Sequence, residues 1–445
     1  MSTSTSQQYF RPNLDELRQV SRTIEPADAT SAANLLSGPA EPVPVEGIAA
    51  LLKGMLGAGG EEIAAAVSLR GAQVRAQLFG NAVIPMAPVE ISNTCASDCL
   101  FCGWRVSNRA MKRLKMPTDL AMLQVEYLVD QGIHYIEFVS GDDIAVVRNQ
   151  LPDLIAQTRR LFDAKGVEGK IAFCTLALTE MQYAELKAAG ADAMVVWQET
   201  YDPAIFAEHV VGGPKAYGIS DDWKMNRDGD GCSFRIESQE RALRAGLEVA
   251  LGSMLGLNPD ICTEFLATVE HARYLTESYG ASGEHPVIIG MPIWNAITTQ
   301  ETDLRPADAP SLQRLFPALA ALYLLALPYE STWVFPNCRV PIATQVEAAR
   351  VGGVFSSTEV KLGPGGYLPA ILRKLSDAGE DVAPLVDRLK TLLRENGEDV
   401  EALQHALDQR EQFMHHYHDH TTYENSMAAA GLKLLKGTDL RQNPT

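Results

Sequence analysis

Eight short β-rich runs alternating with longer helical patterns predict an α/β chain folded as a (β/α)8 TIM-type barrel, with a helical layer before it and a helical extension after it. Size agrees: 445 residues with 46% hydrophobic content can bury one barrel-sized core plus extensions, and a disordered chain is excluded. The third observation is positional. The first run leads into Cys95-Ala96-Ser97-Asp98-Cys99-Leu100-Phe101-Cys102, and the loops that follow the strands carry the chemistry of such barrels.

Residues 1–80 read as an N-terminal helical extension, amphipathic from Pro12 to Phe79 and broken by Pro/Ala-rich punctuation from Gly38 to Pro44. The barrel is expected over 81–368. Its strands are expected at Val89–Asn93, Tyr135–Val139, Lys170–Thr175, Ala193–Glu199, Glu248–Met254, Val287–Met291, Thr332–Phe335 and Gly353–Ser356. Helical patterns separate them at Thr118–Gln131, Thr179–Ala189, Ser238–Ala245, Cys262–Tyr279 and Ser311–Leu327. A C-terminal helical extension is expected over 369–445. It contains His415-His416-Tyr417-His418-Asp419-His420, where His416 and His420 would share one helix face; a metal site and an exposed polar helix end both remain open there.

The formal charge of −18 and a pI near 5.0 argue against a nucleic-acid partner, whose phosphates select basic surfaces, and favour a small-molecule substrate. Met1 to Gln8 has neither a basic n-region nor an apolar h-region, so no secretory signal and a cytoplasmic location are expected. The longest apolar stretch, Leu315 to Pro328, falls short of the roughly 20 residues that span a bilayer and reads as a buried helix. No membrane role is expected.

Four cysteines, Cys174, Cys232, Cys262 and Cys338, stand singly and read as small buried hydrophobes. Cys95, Cys99 and Cys102 differ. Spaced x3 and x2 on one loop, three thiolates can bind three corners of an iron–sulfur cube and leave its fourth iron open. A structural zinc site takes four ligands in two separated pairs, and no second CxxC pair exists in the chain. In a reducing compartment such a cluster is a metal or catalytic site.

The Cys-x3-Cys-x2-Cys spacing, the aromatic before its last cysteine and the strand-like Val89-Glu90-Ile91-Ser92-Asn93 ahead of it resemble the signature of radical S-adenosylmethionine (SAM) enzymes. The order then continues through Gly141-Asp142, Gln198-Glu199-Thr200-Tyr201, His209, Arg235, Arg241, Ala245-Gly246 and Gly256-Leu257. From roughly Gln77 to Tyr367 this resembles the aromatic amino-acid lyase branch, which holds tyrosine lyases (2-iminoacetate synthase among them) and tryptophan lyase. The resemblance implies a radical SAM barrel, a 4Fe–4S cluster on Cys95, Cys99 and Cys102, and SAM as second cofactor. It implies that SAM contacts Phe101, Gly141, Asp142, Glu199 and Arg235, with Arg235 on its carboxylate. Asn337-Cys338-Arg339 stands where the lyases carry Ser-Thr-Arg, so Arg339 is expected to hold the substrate carboxylate, with Ser356 and Ser357 beside it. A free, aromatic α-amino acid substrate and a flavodoxin- or ferredoxin-type electron donor follow from the same likeness.

Three departures from the branch have consequences. Asp142 replaces a glutamate and is one methylene shorter, which can shift a SAM contact to Asp143 or to backbone; Asp143 also reads as the N-cap of a helix beginning near Ile144. The Gly/Asp-rich stretch from Gly212 to Gly231 is longer than in the branch and reads as a lid or as an acidic surface loop. No cysteine follows Cys338, so no second C-terminal cluster is expected. Two other readings share parts of the pattern: a sulfur-inserting or methylornithine-type radical SAM enzyme, and a non-catalytic iron–sulfur protein.

Overall fold

The computed structural model describes residues 9–297, 309–398, 410–438 and 440. Eight parallel strands form the sheet: β1 (Ala82–Ser92), β2 (Tyr135–Ser140), β3 (Lys170–Cys174), β4 (Ala193–Val195), β5 (Glu248–Leu251), β6 (Val287–Met291), β7 (Thr332–Pro336) and β8 (Phe355–Ser357). They lie in the order β7-β6-β5-β4-β3-β2-β1-β8, each neighbour parallel. The two ends meet: Val334 of β7 bridges Gly353, and the Val354 N–H donates to the Val334 carbonyl at 3.2 Å. The eightfold βα alternation therefore closes into a barrel, with helices such as Thr118–Asp130, Leu151–Lys165 and Ile261–Tyr279 outside it.

Strand β1 begins seven residues earlier than the sequence pattern suggests, because Pro85 and Pro88 discourage a strand reading. Both prolines fall where a missing N–H has no ladder partner. The Ile84 N–H donates towards β8, so even-numbered positions face that side, and Pro88 lies past the last β8 pairing, Met86 with Ser357. Pro85 faces the other side, ahead of the first β2 pairing, Met86 with Tyr135. A ninth strand, β9 (Lys433–Leu434), pairs with β1 at Ala82 and Val83, so the C-terminal region finishes the barrel's edge.

Among the N-terminal helices, Gly60–Phe79 lies against the apolar helix Ala309–Ala326, and Gly71 makes the approach possible. A Cβ there would sit 2.4 Å from the Ala321 Cβ and 2.5 Å from the Val351 carbonyl. Among the described residues no helix is long and apolar enough to cross a membrane.

The C-terminal extension is helical at Leu368–Asp377, Ala383–Glu395 and His420–Ala429. From Arg410 to Asp419 it is irregular instead, which corrects the expectation of a continuous helical tail. His416 and His420 share no helix face, since the helix starts at His420 with Asp419 as its cap. The expected extension also includes 399–409 and 441–445, which lie outside the described residues, as do Met1 to Gln8 of the N-terminal one.

Arg75 binds the barrel seam to the N-terminal layer. Its buried guanidinium donates to the carbonyls of Ala349 (3.1 Å), Gly353 (3.2 Å) and Gly80 (2.5 Å), and also to that of Ala82. These carbonyls flank β8 and the start of β1, and three of the four bonds to them are buried. Arg75→Ala should therefore lower the unfolding free energy by about 3 kcal/mol or more, measured by urea titration, while a surface change such as Arg70→Ala should stay within about 0.5 kcal/mol.

Candidate active site

The cysteine loop is held from two sides. Towards β2, the Ala96 N–H donates to the Asp142 carbonyl at 3.1 Å and the Ser97 hydroxyl to the Asp142 carboxylate at 2.5 Å. Towards the segment after β4, the Asp98 N–H donates to the Gly212 carbonyl at 3.0 Å and the Leu100 N–H to the His209 carbonyl at 2.8 Å. Gly141 and Gly213 permit this fit. A Cβ on Gly141 would stand 2.5 Å from the Thr94 carbonyl, and one on Gly213, whose φ is +83°, would stand 2.3 Å from that of Ala96.

Cys95, Cys99 and Cys102 all line one cavity inside the C-terminal mouth of the barrel. Backbone and side-chain donors already point at two sulfurs: the Asp142 N–H at Cys95 Sγ (3.3 Å), and the Trp104 N–H (3.4 Å) and Gln412 Nε2 (3.1 Å) at Cys102 Sγ. Burial pushes all three thiols above their ordinary range, so ionising them together needs compensating positive charge. Iron would supply that charge. Among the described residues no three His, Cys, Asp or Glu side chains converge on one ion position.

Beyond the cluster loop lies a charged triad. Glu199 follows β4 in the left-handed region, φ +68°, a conformation costly for a residue with a Cβ. Its Oε1 accepts from Lys215 Nζ at 2.5 Å and lies 3.6 Å from Arg235 Nη2, and all three side chains are largely buried. Burial pushes the Glu199 carboxyl up, but Lys215 and then Arg235 outweigh it and hold it below its ordinary value. Lys215, which loses by burial and by Arg235 but gains more from Cys99, Glu199 and Asp142, is raised to about 12. Glu199 Oε2 is buried with no partner among the described residues, an acceptor left for a donor that the protein does not supply. These residues fit a zwitterionic cofactor carrying both carboxylate and N–H or O–H donors.

The cavity brings together Phe101, Gly141, Asp142, Glu199, Arg235, Arg339 and Ser357 with the three cysteines. Ser356 is the exception and a correction. Side chains alternate across a strand, so Ser357 faces the cavity while Ser356 turns outward and bonds the Tyr423 hydroxyl at 2.5 Å. Asp143 is committed elsewhere: it caps the helix Ile144–Asn149 and pairs with Lys115 at 2.7 Å. Arg339 stacks on Phe413, its Cζ 3.6 Å from the ring centroid, and donates to the Ile293 carbonyl at 3.1 Å.

Sequence reasoning missed three contributors. Lys215 comes from the Gly212 to Gly231 stretch, which is neither a mere surface loop nor free of the site: Lys215 also donates its N–H to Ser97 at 2.9 Å. Gln412 and Phe413 come from the irregular C-terminal strap, fixed across the mouth by Gly103 N–H to Gln412 carbonyl (2.9 Å), Met414 N–H to Ala296 carbonyl (2.9 Å) and His416 N–H to Cys338 carbonyl (3.0 Å). Gly213-Pro214-Lys215 carried the one available signal, a turn with a cation beside a glycine-rich run.

No protein-family model matches the chain. It is similar to 2-iminoacetate synthase of Escherichia coli (strain K12), 29% identical over 311 residues that cover 67% of this chain and 72% of that one. Among solved structures, HydG, a maturase of the FeFe-hydrogenase, aligns with a TM-score of 0.66 at 24% identity over 83% of this chain and 79% of its own. The HydG of Carboxydothermus hydrogenoformans aligns at 0.64 and 18% identity over 94% and 97%. These likenesses support the radical SAM superfamily for this chain. Its radical SAM barrel is thus recognised both in sequence and in fold, and the superfamily's cofactors, a 4Fe–4S cluster and SAM, are those the cavity's residues fit.

Loss of one radical SAM cysteine should remove the cluster and leave the barrel. Cys99→Ala, after anaerobic reconstitution, is expected to hold little iron while keeping the wild-type circular dichroism; full iron content in that variant would reject the ligand assignment.

Proposed function

We propose that the chain is a radical SAM lyase that fragments or rearranges a free, aromatic α-amino acid. One observation carries the reading: a single cavity holds the three thiols, the Glu199–Lys215–Arg235 triad and, across from them, the Arg339 guanidinium with Ser357. The first two groups suit the cofactors, and the last suits a free carboxylate. The likeness to 2-iminoacetate synthase supports the lyase assignment.

When bound, the cluster and SAM supply one electron and a 5′-deoxyadenosyl radical. What the chain itself contributes is binding, orientation and dryness. Asp142 and the unpartnered Glu199 Oε2 are acceptors for the ammonium and hydroxyl donors of SAM. Arg235 and Lys215 are cations for its carboxylate, and Phe101 packs beside them with Lys215 Nζ 5.4 Å from its ring centroid. Arg339 binds the substrate carboxylate through a guanidinium already oriented by Phe413 and Ile293, so little side-chain freedom is lost. Burial lowers its pKa, but a guanidinium stays charged at neutral pH. Trp197, Met254 and Phe335 give the same cavity an apolar lining. Such fixation is required because a primary carbon radical discriminates poorly; one substrate hydrogen must lie within about 3–3.5 Å of it. A flavodoxin- or ferredoxin-type protein is the proposed electron donor.

Anaerobic reconstitution with SAM and dithionite, run against a panel of free amino acids, tests the reading. Substrate-dependent 5′-deoxyadenosine is expected with an aromatic amino acid; its absence with every amino acid would reject the lyase. Arg339→Ala should raise the substrate concentration needed for turnover while slow uncoupled SAM cleavage continues. Arg235→Ala should weaken SAM binding roughly 10–150-fold, the worth of one charge-assisted contact, and an unchanged dissociation constant would remove Arg235 from the SAM site.

A further inference from the structure

The floor of the cavity holds a carboxyl that neither cofactor needs. Glu137 stands on β2, in register with Pro88 of β1 and Ala172 of β3. It is only 7% exposed, lines the cavity, and makes no hydrogen bond or ion pair among the described residues. The other cavity acids are all engaged: Asp142 by Ser97, Glu199 by Lys215, and Glu90 by the Gly363 N–H. A buried carboxyl is ordinarily satisfied, and one that is not points to a missing partner. Desolvation alone raises its pKa to about 8, in keeping with a group that has no neighbour to bond or balance it.

Its depth assigns the partner. Glu137 precedes the end of β2 by three residues, so it lies roughly 10 Å further into the barrel than the Ser140-Gly141 turn that touches the cysteine loop. Arg339 stands at the opposite level, just beyond the end of β7. The lining they share includes the apolar side chains of Met86, Met254 and Phe335. An amino acid held by its carboxylate at Arg339 would extend its side chain into the same cavity that Glu137 lines.

We propose that Glu137 is a specificity-determining residue, and that it accepts a hydrogen bond from an O–H or N–H at the distal end of the substrate's aromatic side chain. This rests on the reading of the cavity as an aromatic amino-acid site. A carboxyl keeps acceptor capacity in either protonation state, so the contact does not require a charged ligand. A ring without a donor would leave the buried oxygen unpaired, and sites of that design discriminate strongly against the donor-less analogue.

Equilibrium dialysis of free amino acids onto the reconstituted, SAM-loaded, unreduced protein tests this without turnover. Two pairs differ by one donor: tyrosine with phenylalanine, and tryptophan with 1-methyltryptophan. In the wild type at least one donor-bearing member should bind at least roughly tenfold tighter than its partner. Glu137→Leu should abolish or invert that preference while SAM binding is unchanged, and Glu137→Gln, which keeps one acceptor oxygen, should retain at least part of it. If the Leu variant fails to bind SAM, Glu137→Met, which also lacks the oxygen acceptor, decides, and a wild-type preference in it overturns the assignment. Equal binding within both pairs, or a preference that survives Glu137→Leu, also overturns it while leaving the lyase reading intact. If SAM binds and no aromatic amino acid does, the lyase reading itself fails and this inference falls with it.

Discussion

The Ser97 hydroxyl is the junction on which the site depends. It donates to the Asp142 carboxylate and accepts the Lys215 N–H, so one side chain of the cysteine loop fixes both the turn after β2 and the segment that delivers Lys215. It adds a side-chain link to the backbone bonds that tie the cysteine loop to Asp142 on one side and to His209 and Gly212 on the other. Barrel strands give rigid starting points, and the hydrogen bonds between loops convert them into one constellation. The glycines at 141 and 213 belong to the same device, since only a residue without a Cβ lets these backbones approach.

Electrostatics divide the cavity into two ends. Near the cysteines, cations and anions are matched: Lys215 and Arg235 flank Glu199, and their combined field outweighs the burial that would otherwise protonate it. This end is preorganised for a zwitterion. The floor is unmatched, with Glu137 neither bonded nor paired. In the proposed reading, the charge-balanced end holds the cofactor and the unbalanced end selects among substrates.

Much of this was legible in the sequence because it is local. The x3 and x2 cysteine spacing lies within eight residues, and strands such as β2 and β6 carry their β-rich runs in isolation between turn signals. What was not legible needed tertiary knowledge. The phase of β8 separates Ser357, in the cavity, from Ser356, bonded to Tyr423, and a three-residue strand has no periodicity from which to read it. Gln412 reaches Cys102 from 310 residues downstream, across a strap with no regular structure. The first half of β1 was hidden by two prolines that only the ends of its neighbours make tolerable. Lys215 was obscured by a stretch whose composition reads as surface.

The central claim is that the three-thiol loop presents an open iron to SAM within this cavity. Electron paramagnetic resonance of the anaerobically reconstituted, dithionite-reduced protein, recorded with and without SAM, tests it most directly. The account predicts a reduced 4Fe–4S signal whose g-values change on adding SAM, because SAM takes the iron position that Cys95, Cys99 and Cys102 leave free. A reduced protein with no cluster signal, or a cluster spectrum that SAM leaves unaltered, would contradict it.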